Sequence, residues 1–309
     1  MSVSQSALDP LLRGSQGLIP PAQMVVGRLP ERLSRAVLTK ALEPFPQLWG
    51  WSAHSERLRC ARCSYQRAFP EDDSEIFLKE TIAARARAVA TSITYLARTQ
   101  SGRSCGLLEP VGWGDRDGRP CIVLYLHYAI DPALQVAFMD ADDNRDLRWV
   151  VYPTQASRAR RWGGERSLFL AGKVPQSIAE KLLYVTEASW LTEVLRHLRR
   201  GGSILLALDA AMDSRRSPSV WLRVGQAKMP VSAAIEMLAR ATGAQLAFVW
   251  PEPRADDTWS LHYEHLADTA ALADAAGRWI AAHRIHWAGW PYLTWRLRRL
   301  DMERDLVSV

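Results

Sequence analysis

Apolar positions along the chain change their period several times, and those changes mark the predicted elements. From 31 to 48, Leu33, Val37, Leu38 and Leu42 share one helical face until Pro44 and Pro46 end it. A longer helix is predicted from Ile76 to about Arg98, where Ile82, Ala86, Val89, Ile93 and Leu96 recur at steps of four and three. The acidic run Glu71-Asp72-Asp73-Ser74-Glu75 precedes it, where a helix start gains from negative charge. Residues 102 to 118, with Gly106, Gly112, Gly114 and Gly118, read as loop. The unbroken apolar run Cys121 to Leu126 then reads as a buried strand. Pro132 suits the first turn of a helix reaching Met139, since its missing N–H has no intrahelical partner there. Another strand follows from Leu147 to Tyr152.

Farther on, Ser177 and Glu180 have capping-box spacing, and Ile178, Leu182, Val185, Leu191, Val194, Leu195 and Leu198 extend a predicted helix to Gly201-Gly202. The short apolar strand Ser203 to Leu208 ends in Asp209, and a polar loop occupies 210 to 219. Val220 to Val224 form a strand that turns at Gly225, Val231 to Thr242 a helix stopped by Gly243, and Gln245 to Trp250 and Thr258 to Tyr263 two more strands. Asp268 opens a helix through Leu272, Ala276, Trp279 and Ile280. This alternation predicts an α/β fold with a mostly parallel central sheet flanked by helices. The expected division is an irregular and helical arm over 1 to 58, the α/β unit over 59 to 300, and a tail over 301 to 309. No internal repeat or low-complexity tract occurs.

Composition narrows the partners. The 309 residues are 48% hydrophobic, enough to bury a large core, and the formal charge is +6. The basic residues are mostly Arg, whose planar fork suits phosphate and carboxylate. An anionic partner follows: a phospholipid surface, a phosphorylated cofactor arm, an acidic carrier protein or a nucleic acid. Nucleic acid is the least expected, because the Arg residues near Trp162 and in Trp295-Arg-Leu-Arg-Arg299 are interleaved with Leu and Trp. Cys60 and Cys63 lack the second close pair a zinc site needs, so no metal is predicted and Cys60, Cys63, Cys105 and Cys121 read as reduced structural thiols. Met1 to Gly17 has no apolar run beside a basic region, and nowhere do eighteen apolar residues stand together. A cytoplasmic location is expected, with peripheral attachment to the inner face of the cytoplasmic membrane as its variant.

Two strand ends carry candidate chemistry. His127 stops the apolar run 121 to 126, and Asp131 stands four residues on. An imidazole delivered to the end of a buried strand with a carboxylate one turn later fits acid–base work; a structural histidine packed beside the core is the other reading of that stretch. Asp209 repeats the pattern on a second apolar strand, and strand C-termini are where open α/β sheets bind ligands.

Taken in order over roughly 60 to 300, several segments resemble the lipid A late acyltransferases, the bacterial lauroyl and myristoyl transferases of the lysophospholipid acyltransferase superfamily. Phe69-Pro70-Glu71 before a long helix is similar to the family's Phe-Pro-Glu segment. Gly118-Arg-Pro-Cys-Ile-Val-Leu-Tyr-Leu-His127 is similar to its strand into the catalytic His. Leu198-Arg-Arg-Gly-Gly-Ser-Ile-Leu-Leu-Ala-Leu-Asp209 resembles its Leu-Lys-x-Gly run before a functional Asp. Val224-Gly225 with Ala239-Arg-Ala-Thr-Gly243-Ala resembles its Phe-Gly and Ala-x-x-Thr-Gly-Ala segments, and His286-Trp287-Ala-Gly-Trp290-Pro-Tyr292 echoes its Trp-rich close. This chain departs from the family's His-x4-Asp/Glu: Pro132 stands at the acid position and the carboxylate is Asp131, giving His-x3-Asp.

The resemblance implies a lysophospholipid acyltransferase-like fold and transfer of a fatty acyl group from an acyl carrier protein or coenzyme A thioester. The acceptor would be a hydroxyl or amine on a lipid or hydrophobic small molecule, with no resident cofactor. It assigns His127 as general base and Asp131 as the acid that orients it. Asp209 and one of Arg158, Arg160 and Arg161 are assigned to substrate or phosphate binding. The altered acid spacing motivates a second expectation, an acyltransferase-like protein impaired in catalysis that serves as a binding or assembly partner.

Overall fold

In the computed structural model, the described residues are 28–42, 56–103, 105–111, 119–131, 133–140, 146–151, 181–184, 190–209, 220–256, 258–290 and 293. Seven strands form the central sheet. Sheet order is β1 (Leu108–Val111), β9 (Trp259–Leu266), β8 (Gln245–Pro253), β2 (Cys121–Tyr125), β5 (Ser203–Ala207), β3 (Leu147–Val151) and β4 (Leu182–Tyr184). Every neighbouring pair is parallel except β8 with β9. The fold class expected from the alternating pattern is therefore observed: α/β, with a mostly parallel sheet flanked by helices. All five residues of both β2 and β5 are buried, as expected for strands covered on both faces.

Three helices precede the sheet: α1 (Glu31–Leu42), α2 (Glu56–Ala68) and α3 (Ser74–Gln100). The acidic run before α3 acts as predicted. Asp73 is the N-cap, accepting from the N–H groups of Glu75 at 2.7 Å and Ile76 at 3.3 Å. Helix α2 runs across the position, 58/59, expected to divide the arm from the α/β unit. Its buried residues Leu58, Ala61, Tyr65 and Ala68 recur at helical spacing, a signal the intervening Arg residues obscure.

Three predicted segments differ. Within the expected loop 102 to 118, Leu108–Val111 is strand β1, paired in parallel with β9. In the predicted helix from 178 to 198, Leu182–Tyr184 is instead strand β4 against β3, and the described helix is α5 (Trp190–Arg199). Three apolar residues satisfy either period, and an open sheet edge decided the outcome. Val231 ends strand β7 (Ala227–Val231), which pairs with β6 (Val220–Val224); helix α6 (Ala233–Thr242) starts after the N-cap Ser232.

The β6–β7 hairpin is wedged between α2 and the late helix α7 (Thr269–Ala282). At its turn Gly225 has φ +57°, and a Cβ there would stand 2.2 Å from the Ala68 carbonyl oxygen. Gln226 donates its N–H to that same oxygen at 2.8 Å. Helix α4 (Ala133–Asp140) begins where the chain leaves β2, and Ala133 to Met139 are all buried. No helix among the described residues is long and apolar enough to cross a membrane.

Candidate active site

Strand register builds the site. In the β2–β5 ladder Tyr125 lies opposite Ala207, so two residues on, past the end of both strands, His127 faces Asp209. Equal offsets from a paired position put both side chains on the same side of the sheet. The contact that results is short: His127 Nδ1 and Asp209 Oδ1 are 2.7 Å apart. The His127 backbone N–H also donates to both Asp209 carboxylate oxygens, each at 3.1 Å.

A third donor comes from the far end of the chain. Trp287 donates its indole N–H to Asp209 Oδ2 at 2.8 Å. The segment bearing Trp287 is stitched to the strand end on its backbone. Ala288 N–H donates to the His127 carbonyl at 2.8 Å, and Ala129 N–H to the His286 carbonyl at 3.0 Å. Backbone and ring of His127 are thus fixed together.

That segment is itself held by the helical layer. Arg284 donates to Asp72 and, at 3.1 Å, to the Tyr65 hydroxyl, which donates to Asp72 at 2.5 Å. The Arg284 guanidinium lies over the Phe69 ring, 4.7 Å from its centroid. Trp290 donates to the Arg284 carbonyl at 2.8 Å and packs edge-on against Tyr65, Phe69 and Phe77. The Phe69-Pro70-Glu71 turn and the Trp-rich close therefore meet, although they lie far apart in the chain. Burial and the Asp72 hydrogen bond push the Tyr65 hydroxyl up to about 12, so it stays a donor at neutral pH.

The two carboxyls near His127 are in opposite electrostatic states. The Asp209 side chain is 2% exposed, and burial alone would raise its pKa. The His127 charge and the hydrogen bonds from His127 and Trp287 outweigh burial and hold it below the usual carboxylate range. Asp131 is pushed by burial up to about 7, against the pull of His127 and Gln135. Its Oδ2 accepts the Tyr128 N–H at 3.2 Å, and its buried Oδ1 has no hydrogen-bond partner among the described residues.

Chemically, a carboxylate on Nδ1 sets the imidazole tautomer and leaves Nε2 as the basic nitrogen. The His127 ring is 27% exposed, so it reaches the surface while its partner does not. Beneath it, Tyr125 packs edge-on at 5.8 Å and accepts from the Trp149 indole at 3.2 Å. The arrangement can take a proton from an incoming group and return it to a leaving group.

Of the sequence-based candidates, His127 and Asp209 are brought together. Asp131 lies close by but bonds backbone rather than imidazole. The carboxylate in contact with the imidazole is Asp209, which was expected to bind substrate, and not Asp131, which was expected to orient the ring. Arg158, Arg160, Arg161 and Pro132 lie outside the described residues. Trp287 was visible only as part of a Trp-rich stretch; nothing in the sequence marked it as a donor to Asp209. No group of three or more His, Cys, Asp or Glu among the described residues is arranged to hold a metal ion. No protein-family model matches the chain, and no curated protein matches it significantly.

Proposed function

We propose that the protein is an acyltransferase that moves a fatty acyl group from an acyl carrier protein or coenzyme A thioester to a hydroxyl or amine acceptor. The observation that carries this reading is the His127–Asp209 pair at the C-terminal ends of two adjacent buried strands, with Nδ1 and Oδ1 at 2.7 Å. The resemblance of segment order to the lipid A late acyltransferases supports it. His127 Nε2 takes the proton of the acceptor O–H or N–H as oxygen or nitrogen attacks the thioester carbonyl. Collapse of the tetrahedral adduct breaks the C–S bond, and the imidazolium returns its proton to the departing thiolate. Asp209, kept ionised, stabilises that imidazolium. Arg158, Arg160 and Arg161 are the candidates for the donor's phosphate or the oxyanion. A peripheral position on the cytoplasmic membrane would present an apolar acceptor.

The test is thiol release from a panel of acyl-carrier-protein and acyl-coenzyme A thioesters, with hydroxyl and amine acceptors, by wild type and His127→Ala. Loss of a general base is expected to slow transfer by about 10²–10⁴-fold. Acylation unchanged in His127→Ala would sink the reading. One observation favours the alternative, a protein impaired in catalysis that binds a carrier: Pro132 stands where the resembling family has its acid. An inert wild type that still binds carrier protein would support that second reading.

A further inference from the structure

We infer that the outer face of α1 docks on an anionic lipid bilayer, holding the His127 edge of the sheet against the membrane surface. One face of α1 is committed to the protein: Ser34 is buried, Arg35 donates to the Asp256 carbonyl at 2.9 Å, and Glu31 pairs with Arg98 at 3.2 Å. The opposite face carries two parallel rows. Leu33, Val37 and Ala41 form an apolar row at steps of four, with Leu33 49% and Val37 50% exposed. Beside it runs a second exposed row, Arg32, Ala36 and Lys40, in which a small apolar residue separates two cations. A further exposed cation, Arg28, stands just ahead of the helix start. No acidic side chain stands in either row.

The pairing of rows selects the occupant. Apolar side chains at the level of the acyl boundary, with Arg and Lys stems reaching back to anionic headgroups, are what an interfacial helix presents. Ala36 lets the apolar surface continue between the two cations without obstructing their reach. A bilayer containing acidic lipid satisfies both rows at once, and the net charge of +6 agrees in sign. The anchorage of α1 fixes which edge would face the membrane. Strand β8 runs parallel to β2, so the β8–β9 turn bearing Asp256 stands at the same sheet edge as His127 and Asp209. Glu31 accepts the Gly106 N–H at 3.4 Å just before β1, whose Leu108 is opposite Trp259 on that edge. That the docked edge meets an acyl donor or acceptor in the lipid rests on the acyltransferase reading; the docking itself does not.

The test is co-sedimentation of the full chain with phosphatidylglycerol-containing vesicles and with vesicles of phosphatidylcholine alone, without any thioester. Wild type is expected to bind the anionic vesicles, less well at high salt. The variant Arg28→Gln/Arg32→Gln/Lys40→Gln is expected to bind the anionic vesicles about 100-fold more weakly, and Leu33→Ser/Val37→Ser to lose that binding. The substituted residues are all exposed, so melting curves should match wild type. No binding by wild type, or undiminished binding by both variants, overturns the inference. So does concentration-dependent dimerisation that these variants abolish, or binding of an acidic carrier protein, but not vesicles, lost in the triple variant.

Discussion

The sharpest perturbation of the site is Asp209→Asn, which preserves shape while removing one of two acceptor oxygens. Among the described residues, three donors converge on the carboxylate: the His127 backbone N–H, its Nδ1–H, and the Trp287 indole N–H. The amide has one oxygen for them and two N–H groups of its own. With its oxygen toward His127, its nitrogen faces the buried indole N–H at a place where an acceptor is needed. With its nitrogen toward His127, the imidazole must take the other tautomer, and Nε2 then carries hydrogen and cannot act as base. Each arrangement strands a buried donor at about 1–3 kcal/mol, and the second removes the base as well. The expected loss of rate is on the order of 10³–10⁴-fold, the scale for a wrong imidazole tautomer. Denaturant unfolding should show the stability loss, and thioester turnover the rate loss. Nitrogen NMR of the imidazole should show the change of tautomer. Wild-type turnover in Asp209→Asn would refute the role given to this carboxylate, whatever the stability.

Three further outcomes follow. Trp287→Phe keeps ring packing against Trp290 but removes the indole donor; a hydrogen bond to a charged group contributes about 1.5–3 kcal/mol, and its loss should raise the Asp209 pKa, measurable by carboxyl NMR titration. For Asp131, a folded pKa of about 7 against an ordinary 3.8 means that the folded protein holds this proton more tightly than the unfolded chain. Its contribution to stability is full below about pH 4 and is lost as pH rises through 7, so Asp131→Asn should gain on wild type with rising pH. The ceiling is roughly 4 kcal/mol, and denaturation midpoints at about pH 5 and pH 8 that shift equally would refute it. Gly225→Ala should cost about 3 kcal/mol or more, since a Cβ meets the Ala68 carbonyl and the φ of +57° adds strain; a melting temperature equal to wild type would contradict this.

Much of this fold is legible in the sequence because its central elements satisfy local and tertiary demands together. Strands β2 and β5 are unbroken apolar runs between polar stops, and α3 is announced by an acidic run that holds its N-cap. Less legible were β1 and β4, which owe their strand state to an available sheet edge. Helix α2 buries only small steps of apolar surface between arginines, so its periodicity was weak. His127 and Asp209 could each be seen as a polar residue ending a buried strand. Their partnership could not, because β3 and β4 intervene in sequence and only sheet order places β5 beside β2.

Sequence proximity favoured Asp131 as the acid for His127, and physical chemistry favours Asp209. A buried carboxylate remains ionised only where donors replace the water it has lost. Among the described residues Asp209 accepts from two donors of His127 and one of Trp287. For Asp131 the Tyr128 N–H and the pull of His127 and Gln135 do not offset burial, so its proton is held to near neutrality. A group half-protonated near pH 7 is a poor permanent counter-charge for an imidazolium. The negative charge beside the His127 imidazole therefore comes from the end of the neighbouring strand β5 and not from the residue four positions on. The carboxylate that fixes the His127 ring is Asp209.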